Sequence, residues 1–241
     1  MKIRLFTIPN MLTLSNLLCG TFALVSALKY GNLEWSFWFV VLAAVFDFFD
    51  GFVARLLGQS SPIGLQLDSL ADVVSFGAVP AAVLYVMTTR SFTEEQTLLL
   101  YVYAFASFLL AAFSALRLAK FNIDETQHEE FCGLPTPANA LFFTSLGLIS
   151  ARTGFDFGGP VLICIMPLMA WLLVSPVRMF ALKFRGFGWR GNQVRYLFLL
   201  LAVALIAILR LYAVPTIILA YILISAIRWG MMCRATGCGK G

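Results

Sequence analysis

The residues best suited to chemistry lie between Asp47 and Asp72, where aspartates recur at helical spacing in a chain with few charges. Asp47 and Asp50 are three residues apart, and Asp68 and Asp72 are four apart. Because offsets of three and four return to the same side of an α-helix, each pair should present its carboxylates on one face. The segment 57–62 contains a glycine, two serines and a proline, so the chain should turn back there and bring four carboxylates face to face.

Four converging carboxylates repel each other unless cations neutralise them. An all-oxygen ligand set favours Mg²⁺ or Mn²⁺ over zinc, and paired ions about 4 Å apart suit in-line displacement at phosphorus. Gly51 and Ala54 lie on the aspartate face, where their small size could let a ligand approach the backbone or simply allow close helix packing. Arg55 could pair with phosphate oxygens or with an aspartate. The pattern therefore predicts a divalent-metal site that acts on a phosphate compound.

The composition places these aspartates in a membrane. Hydrophobic residues make up 61% of the chain, charged residues 12%, and the mean hydropathy is +0.89, all outside the range of soluble domains. Since about 20 apolar residues cross a bilayer, 241 residues suffice for about eight spans. We predict an all-α polytopic membrane helix bundle forming one domain over residues 1–241. Basic residues are scattered singly rather than in a stripe, which argues against nucleic acid as a partner despite the net charge of +5.

The predicted spans follow the apolar runs. They cover approximately residues 8–28, 33–57, 65–87, 95–119, 138–151, 160–182, 194–208 and 214–227. With a cytoplasmic N-terminus, the far side of the membrane receives only four of the 17 basic residues, namely Lys29, Arg90, Arg152 and Arg210. The positive-inside rule therefore predicts a multi-pass protein of the cytoplasmic membrane, with both termini in the cytoplasm and an aspartate hairpin that opens to the cytoplasm.

The complete motif matches a known signature. Its sequence is Asp47-x2-Asp50-Gly51-x2-Ala54-Arg55-x8-Gly64-x3-Asp68-x3-Asp72. At every position and spacing it resembles the CDP-alcohol phosphatidyltransferases. The resemblance implies an integral membrane enzyme in which an alcohol displaces CMP from a CDP-linked lipid. It also implies that the four aspartates hold two divalent cations, Mg²⁺ or Mn²⁺, that Asp72 deprotonates the acceptor hydroxyl, and that the protein is a homodimer.

The residues expected to bind the CDP-lipid combine this motif with the polar beginning of the first span. They are Asn10, Thr13, Gly51, Ala54, Arg55 and Gly64.

The acceptor alcohol depends on stretches outside the signature. Residues 72–80, 117–122 and 131–139, with polar residues at 9–20 and 175–183, resemble the phosphatidylserine synthase branch of the family. The resemblance covers a catalytic core of about residues 8–185, followed by two additional spans at about 194–227. It implies transfer of the phosphatidyl group of CDP-diacylglycerol to L-serine, with release of CMP.

Serine requires a cation for its carboxylate and hydrogen-bond acceptors for its ammonium group. The candidate acceptor-binding residues are Ser75, Arg117, Lys120, Asn122, Arg178 and Lys183. Ser75 could instead be a small residue in a packed helix, and the basic residues could instead anchor the protein at the membrane interface.

Three alternatives fit part of the pattern. The acceptor could be glycerol 3-phosphate, an inositol phosphate or choline. An intramembrane prenyltransferase also uses aspartates and Mg²⁺, although its two acidic motifs would lie in separate helical pairs. A cation transporter would also carry intramembrane acids, but it would predict an inverted repeat of the acidic segment, and no second copy of that segment appears in residues 90–241.

Overall fold

A computed structural model describes residues 5–59, 61–91, 98–123, 130–180 and 192–236, which are mostly helical. The helices are α1 (Ile8–Leu28), α2 (Leu33–Leu56), α3 (Pro62–Asp72), α4 (Val79–Arg90), α5 (Leu98–Ala106), α6 (Leu109–Ile123), α7 (Thr136–Thr153), α8 (Gly159–Val174), α9 (Gln193–Leu209) and α10 (Ala213–Thr236). A π-helical segment, Val73–Ala78, joins α3 to α4, and a 3₁₀ turn, Arg210–Tyr212, joins α9 to α10. Two short strands, β1 (Glu130–Cys132) and β2 (Arg178–Phe180), pair antiparallel, with Phe131 opposite Met179.

The predicted character of a membrane helix bundle is confirmed. In the part of the chain that the structure describes, five helical runs are long and apolar enough to cross a membrane: Ile8–Leu28, Leu33–Leu56, Pro62–Arg90, Tyr101–Ile123 and Gln193–Cys233. The shorter helix α8 is also apolar. Large apolar side chains such as Phe48, Leu197 and Leu200 are exposed on outward faces, as expected for surfaces that contact lipid.

The aspartate hairpin forms because local signals end α2 and start α3. Gly58 has a positive φ of 60°, a conformation that glycine adopts without strain and that terminates the helix. The Ser61 hydroxyl caps α3 by accepting a hydrogen bond from the Gly64 N–H at 3.1 Å, and Pro62 occupies the first turn, where its missing N–H costs nothing. The chain therefore reverses over residues 57–61, as the sequence predicts.

The run from α3 through α4 is the centre of the bundle. Nine of the 12 residues of α4 are buried, and this helix packs against α1 and α7. The π-helical segment lies between α1 and α6, which approach it closely through small residues. A Cβ on Gly20 would lie 2.8 Å from the Ser75 Cα, and one on Gly77 would lie 3.1 Å from the Ser114 Cβ. Glycine is therefore required at position 20, and a side chain at position 77 would need Ser114 to move by a few tenths of an ångström.

Two predicted spans differ from the observed helices. The span predicted at 95–119 is divided into α5 and α6 at Ser107, whose hydroxyl donates a hydrogen bond to the Ala81 carbonyl of α4 at 3.0 Å. The span predicted at 160–182 ends earlier, at Val174, because Pro176 disfavours a helical conformation for Ser175, which is extended. The chain then forms β2, which the sequence does not predict.

Candidate active site

The four aspartates lie where α2 and α3 face each other. Asp47, Asp50 and Asp68 each contribute a carboxylate oxygen to a group in which all oxygens are within 4.8 Å of one another. Asp72 lies one turn beyond Asp68 on α3 and is not part of that group. Asp50 and Asp72 are buried, and no described lysine or arginine forms an ion pair with any of the four. The predicted convergence is thus three carboxylates together with a fourth one turn away.

Polar residues of α1 hold two of these aspartates. The Thr13 hydroxyl donates a hydrogen bond to Asp50 Oδ2 at 2.6 Å. The Asn16 side-chain amide donates to Asp72 Oδ1 at 3.3 Å, so Asn16 is a site residue that the sequence analysis did not assign. An asparagine within an apolar span was the available signal, because polar groups at membrane depth need partners. The polar beginning of the first span therefore positions the carboxylates of α2 and α3.

A cavity of about 230 Å³ opens beside the aspartates, between α1, α2 and α3. All six residues predicted to bind the CDP-lipid line it, namely Asn10, Thr13, Gly51, Ala54, Arg55 and Gly64, together with Pro9, Asp50, Gln59, Ser61, Leu65 and Asp68. The cavity thus combines carboxylates, a guanidinium and small residues in one concave surface, which is the usual form of a ligand site.

The two glycines of the cavity have different roles. A Cβ added to Gly51 would meet no atom within 4 Å, so Gly51 does not serve close helix packing, and its missing side chain leaves space in the cavity. A Cβ added to Gly64 would lie 3.2 Å from Asn10 Oδ1 and from Ser61 Oγ. Gly64 therefore allows α3 to approach the start of α1, whereas Gly51 keeps the cavity open.

The residues present fit a divalent-cation site. The donors are carboxylate oxygens only, which suits Mg²⁺ or Mn²⁺. Asp68 Oδ1 is buried and has no hydrogen-bond partner among the described residues, although a buried carboxylate oxygen normally has one. Since no described cationic side chain neutralises the cluster either, bound cations would satisfy both its charge and its free oxygen.

The residues predicted to bind the acceptor fall into two groups. Ser75 and Arg117 are buried, and Ser75 donates its hydroxyl to the Asn16 carbonyl at 3.1 Å, in line with a packing role. Arg117 donates from Nη1 to Thr136 Oγ1 at 3.1 Å and so joins α6 to the first turn of α7.

The other acceptor candidates lie farther out. Asn122 donates its amide to Ser69 Oγ at 2.8 Å and so joins the end of α6 to α3. Lys120 and Arg178 are exposed, as expected for interfacial anchors. Lys183 lies outside the described residues.

Comparisons with known proteins agree with the motif and its geometry. A family model described as CDP-alcohol phosphatidyltransferase matches residues 6–175, which include the four aspartates and the whole lining of the cavity. Similar proteins named CDP-diacylglycerol–serine O-phosphatidyltransferase occur in three bacteria. The Helicobacter pylori protein is 29% identical over 93% of this chain and 92% of its own length, the Bacillus subtilis protein 32% over 71% and 88%, and the Mycobacterium tuberculosis protein 31% over 96% and 78%. The chain therefore belongs to the CDP-alcohol phosphatidyltransferase family.

Proposed function

We propose that the protein transfers the phosphatidyl group of CDP-diacylglycerol to the hydroxyl of L-serine, giving phosphatidylserine and CMP. The observation that carries this proposal is the cavity inside a membrane helix bundle, which is lined by two of the three clustered aspartates, Asp50 and Asp68, together with Arg55 and Gly51. The names of the similar proteins support serine as the acceptor. The same chemistry with another acceptor alcohol is the main alternative.

The donor half of the site is assigned to the cavity. Asp47, Asp50, Asp68 and Asp72 would hold two divalent cations, Mg²⁺ or Mn²⁺, which when bound stabilise negative charge on the phosphates. The Thr13 hydroxyl fixes the orientation of Asp50 through their 2.6 Å hydrogen bond. Arg55 supplies a guanidinium whose geometry suits phosphate oxygens. The missing side chain at Gly51 leaves room for the CDP moiety.

The acceptor half of the reaction is assigned to Asp72. The serine hydroxyl oxygen forms a bond to the phosphatidyl phosphorus, while the bond from that phosphorus to the CMP oxygen breaks. The hydroxyl proton passes to a carboxylate oxygen of Asp72 as the nucleophile attacks. Asn16 holds Oδ1 of Asp72 by a hydrogen bond at 3.3 Å, which leaves Oδ2 to accept the proton.

The proposed setting is the cytoplasmic membrane, with about eight helices crossing it and both termini on the cytoplasmic side. The five long apolar runs and the excess of basic residues in the predicted cytoplasmic loops support this topology. The aspartate cavity would then open to the cytoplasm, and the protein would act as a homodimer.

The test measures CMP release from CDP-diacylglycerol and Mg²⁺ or Mn²⁺, with one alcohol supplied at a time. L-Serine should give CMP and phosphatidylserine, and glycerol 3-phosphate, inositol phosphate and choline should not compete. Asp47→Asn, Asp68→Asn and Asp72→Asn should each abolish release. Asp156→Asn is a matched control, because this acid lies on an exposed loop and accepts its hydrogen bond from Ser91. Normal turnover in any of the three cluster variants would contradict the assignment, and cation flux without CDP-lipid would favour a transporter.

A further inference from the structure

The first turn of α7 and the facing side of α6 contain buried polar atoms without partners. Asn139 is fully buried, and neither its Nδ2 nor its Oδ1 has a hydrogen-bond partner among the described residues. Arg117 is 8% exposed, and its Nε is also unpartnered. Buried polar groups are nearly always hydrogen-bonded, and Arg117 contacts Thr136, three residues before Asn139 on α7, so these free atoms indicate a missing ligand.

The same place holds an uncapped helix N-terminus. Helix α7 has 18 residues and begins at Thr136, and its N-cap residue Pro135 provides no side-chain hydrogen bond. The first backbone bond of the helix is from the Asn139 N–H to the Pro135 carbonyl at 3.1 Å. Pro137 has no N–H, so the Thr136 and Ala138 N–H groups precede this bond, and together with the helix dipole they favour an anion. Thr136 and Asn139 are three residues apart and share one face of α7.

This polar group lies beside the segment that follows the proposed base. Arg117 bridges α6 to α7 through Thr136, and α6 packs against the π-helical segment that begins directly after Asp72. One turn before Arg117, Ser114 is fully buried against Gly77 of the π-helical segment, and its hydroxyl also has no partner in the described part of the chain. The unpartnered atoms therefore extend along α6 on the side that faces the segment directly after Asp72.

We propose that Asn139, together with Arg117 and the N-terminus of α7, forms the subsite for the amino-acid end of the acceptor. The inference rests on the proposed function and adds the residues that select a zwitterion. The carboxylate of serine accepts hydrogen bonds from the Arg117 guanidinium and from the first N–H groups of α7. The Asn139 amide is suited to both charged groups of serine, because Nδ2 donates to the carboxylate and Oδ1 accepts from the ammonium group.

The chemistry of this subsite discriminates among acceptor alcohols. Serine has three carbons, so its carboxylate must lie close to the hydroxyl that Asp72 deprotonates, and an arginine of α6, which packs against the segment directly after Asp72, suits that requirement. Choline has no carboxylate for Arg117, and the dianion of glycerol 3-phosphate would require more positive charge than Arg117 supplies. An analogue that lacks the carboxylate or the ammonium group leaves a buried polar group of the site without a hydrogen bond, and the site therefore rejects it.

The experiment measures steady-state CMP release with purified Asn139→Leu and Asn139→Ser variants, varying serine and CDP-diacylglycerol separately. The KM for serine should rise by about 10- to 100-fold, as expected for loss of hydrogen bonds to charged groups, while the KM for CDP-diacylglycerol stays unchanged. Arg117→Gln should in addition reduce the preference for serine over serinamide, which has no carboxylate. Ser145→Ala is the matched control, because within the described residues this buried α7 hydroxyl donates its hydrogen bond to the Phe142 carbonyl of its own helix.

The outcomes separate this inference from the proposed function. If the wild-type protein transfers to serine but the folded Asn139 variants keep the wild-type KM for serine, the subsite is refuted and the proposed function stands. Equal changes in both KM values, or failure of both Asn139 variants to fold, would make Asn139 a structural residue. If the wild-type protein uses no serine but uses another alcohol, the proposed function itself fails.

Discussion

Substitution of Gly51 separates stability from activity. Gly51 lies inside α2, and a Cβ there would meet no atom within 4 Å. Gly51→Ala should therefore stabilise the helix by about 1 kcal/mol, because alanine has the higher helix propensity and nothing opposes it. For a chain of this size that corresponds to a melting temperature about 2–4 °C higher. The new methyl group nevertheless enters the cavity of about 230 Å³, so use of the CDP-lipid should weaken.

Gly51→Leu should weaken the use of the CDP-lipid further. If each of the four side-chain carbons takes about the volume of a water molecule, about 30 Å³, leucine removes on the order of half of the cavity. We expect the KM for CDP-diacylglycerol to rise at least about 10-fold from alanine to leucine, which corresponds to about 1.4 kcal/mol of lost binding. The protein should remain folded in both variants, since the leucine also extends into open space.

The assay is CMP release at varied CDP-diacylglycerol, with thermal unfolding of the same preparations. Gly230→Ala is the matched control, because Gly230 also lies within a helix, α10, and also has open space around its Cβ, but it does not line the cavity. It should give a similar gain in stability with no change in KM. A normal KM for Gly51→Leu would refute the assignment of the cavity to the CDP-lipid, and a lower melting temperature for Gly51→Ala would show a packing role instead.

Three further predictions address the site and its support. Thr13→Val removes the hydrogen bond to Asp50 at nearly constant shape, so kcat/KM for CMP release should fall about 10- to 100-fold, whereas Thr13→Ser should retain most activity. Exhaustive chelation should abolish CMP release, and Mg²⁺ or Mn²⁺ should restore it; activity that survives chelation would contradict the metal assignment. Tyr221→Phe removes the bond from the Tyr221 hydroxyl to the Phe180 carbonyl and should lower stability by about 1 kcal/mol, measured as a fall in melting temperature.

Much of the fold follows from local sequence signals. Helix α1 has the predicted bounds because Thr7 caps its start and Pro9 occupies its first turn. The break at Ser107 was not predictable, because it depends on a hydrogen bond to Ala81 of another helix. The two strands likewise pair over a long distance in the sequence. Each has three residues, too few to show the alternation of apolar and polar residues that predicts a strand.

The donor half of the site was more predictable than the acceptor half. Aspartates at offsets of three and four identify a helix face, and the structure places Asp47, Asp50 and Asp68 together as that spacing requires. Asn16 and Asn139 lie among other small polar residues of α1 and α7, so their residue type does not show in the sequence whether they serve the site or the packing. Only the position of their partners, or the absence of any, distinguishes them from packing residues.

The π-helical segment after Asp72 has a consequence for insertions and deletions in this chain. Its i→i+5 bonds accommodate one residue more than an α-helix would, without rotating the flanking helices. Deleting one residue from Val73–Ala78 should therefore turn this segment into ordinary α-helix and keep the faces of α3 and α4. Deleting Ser69 from α3 instead should rotate the residues before it by about 100° relative to α4. Because α4 is mostly buried and α3 buries only two residues, the core would hold α4 in place, and Asp68 would leave the cavity in a protein that still folds.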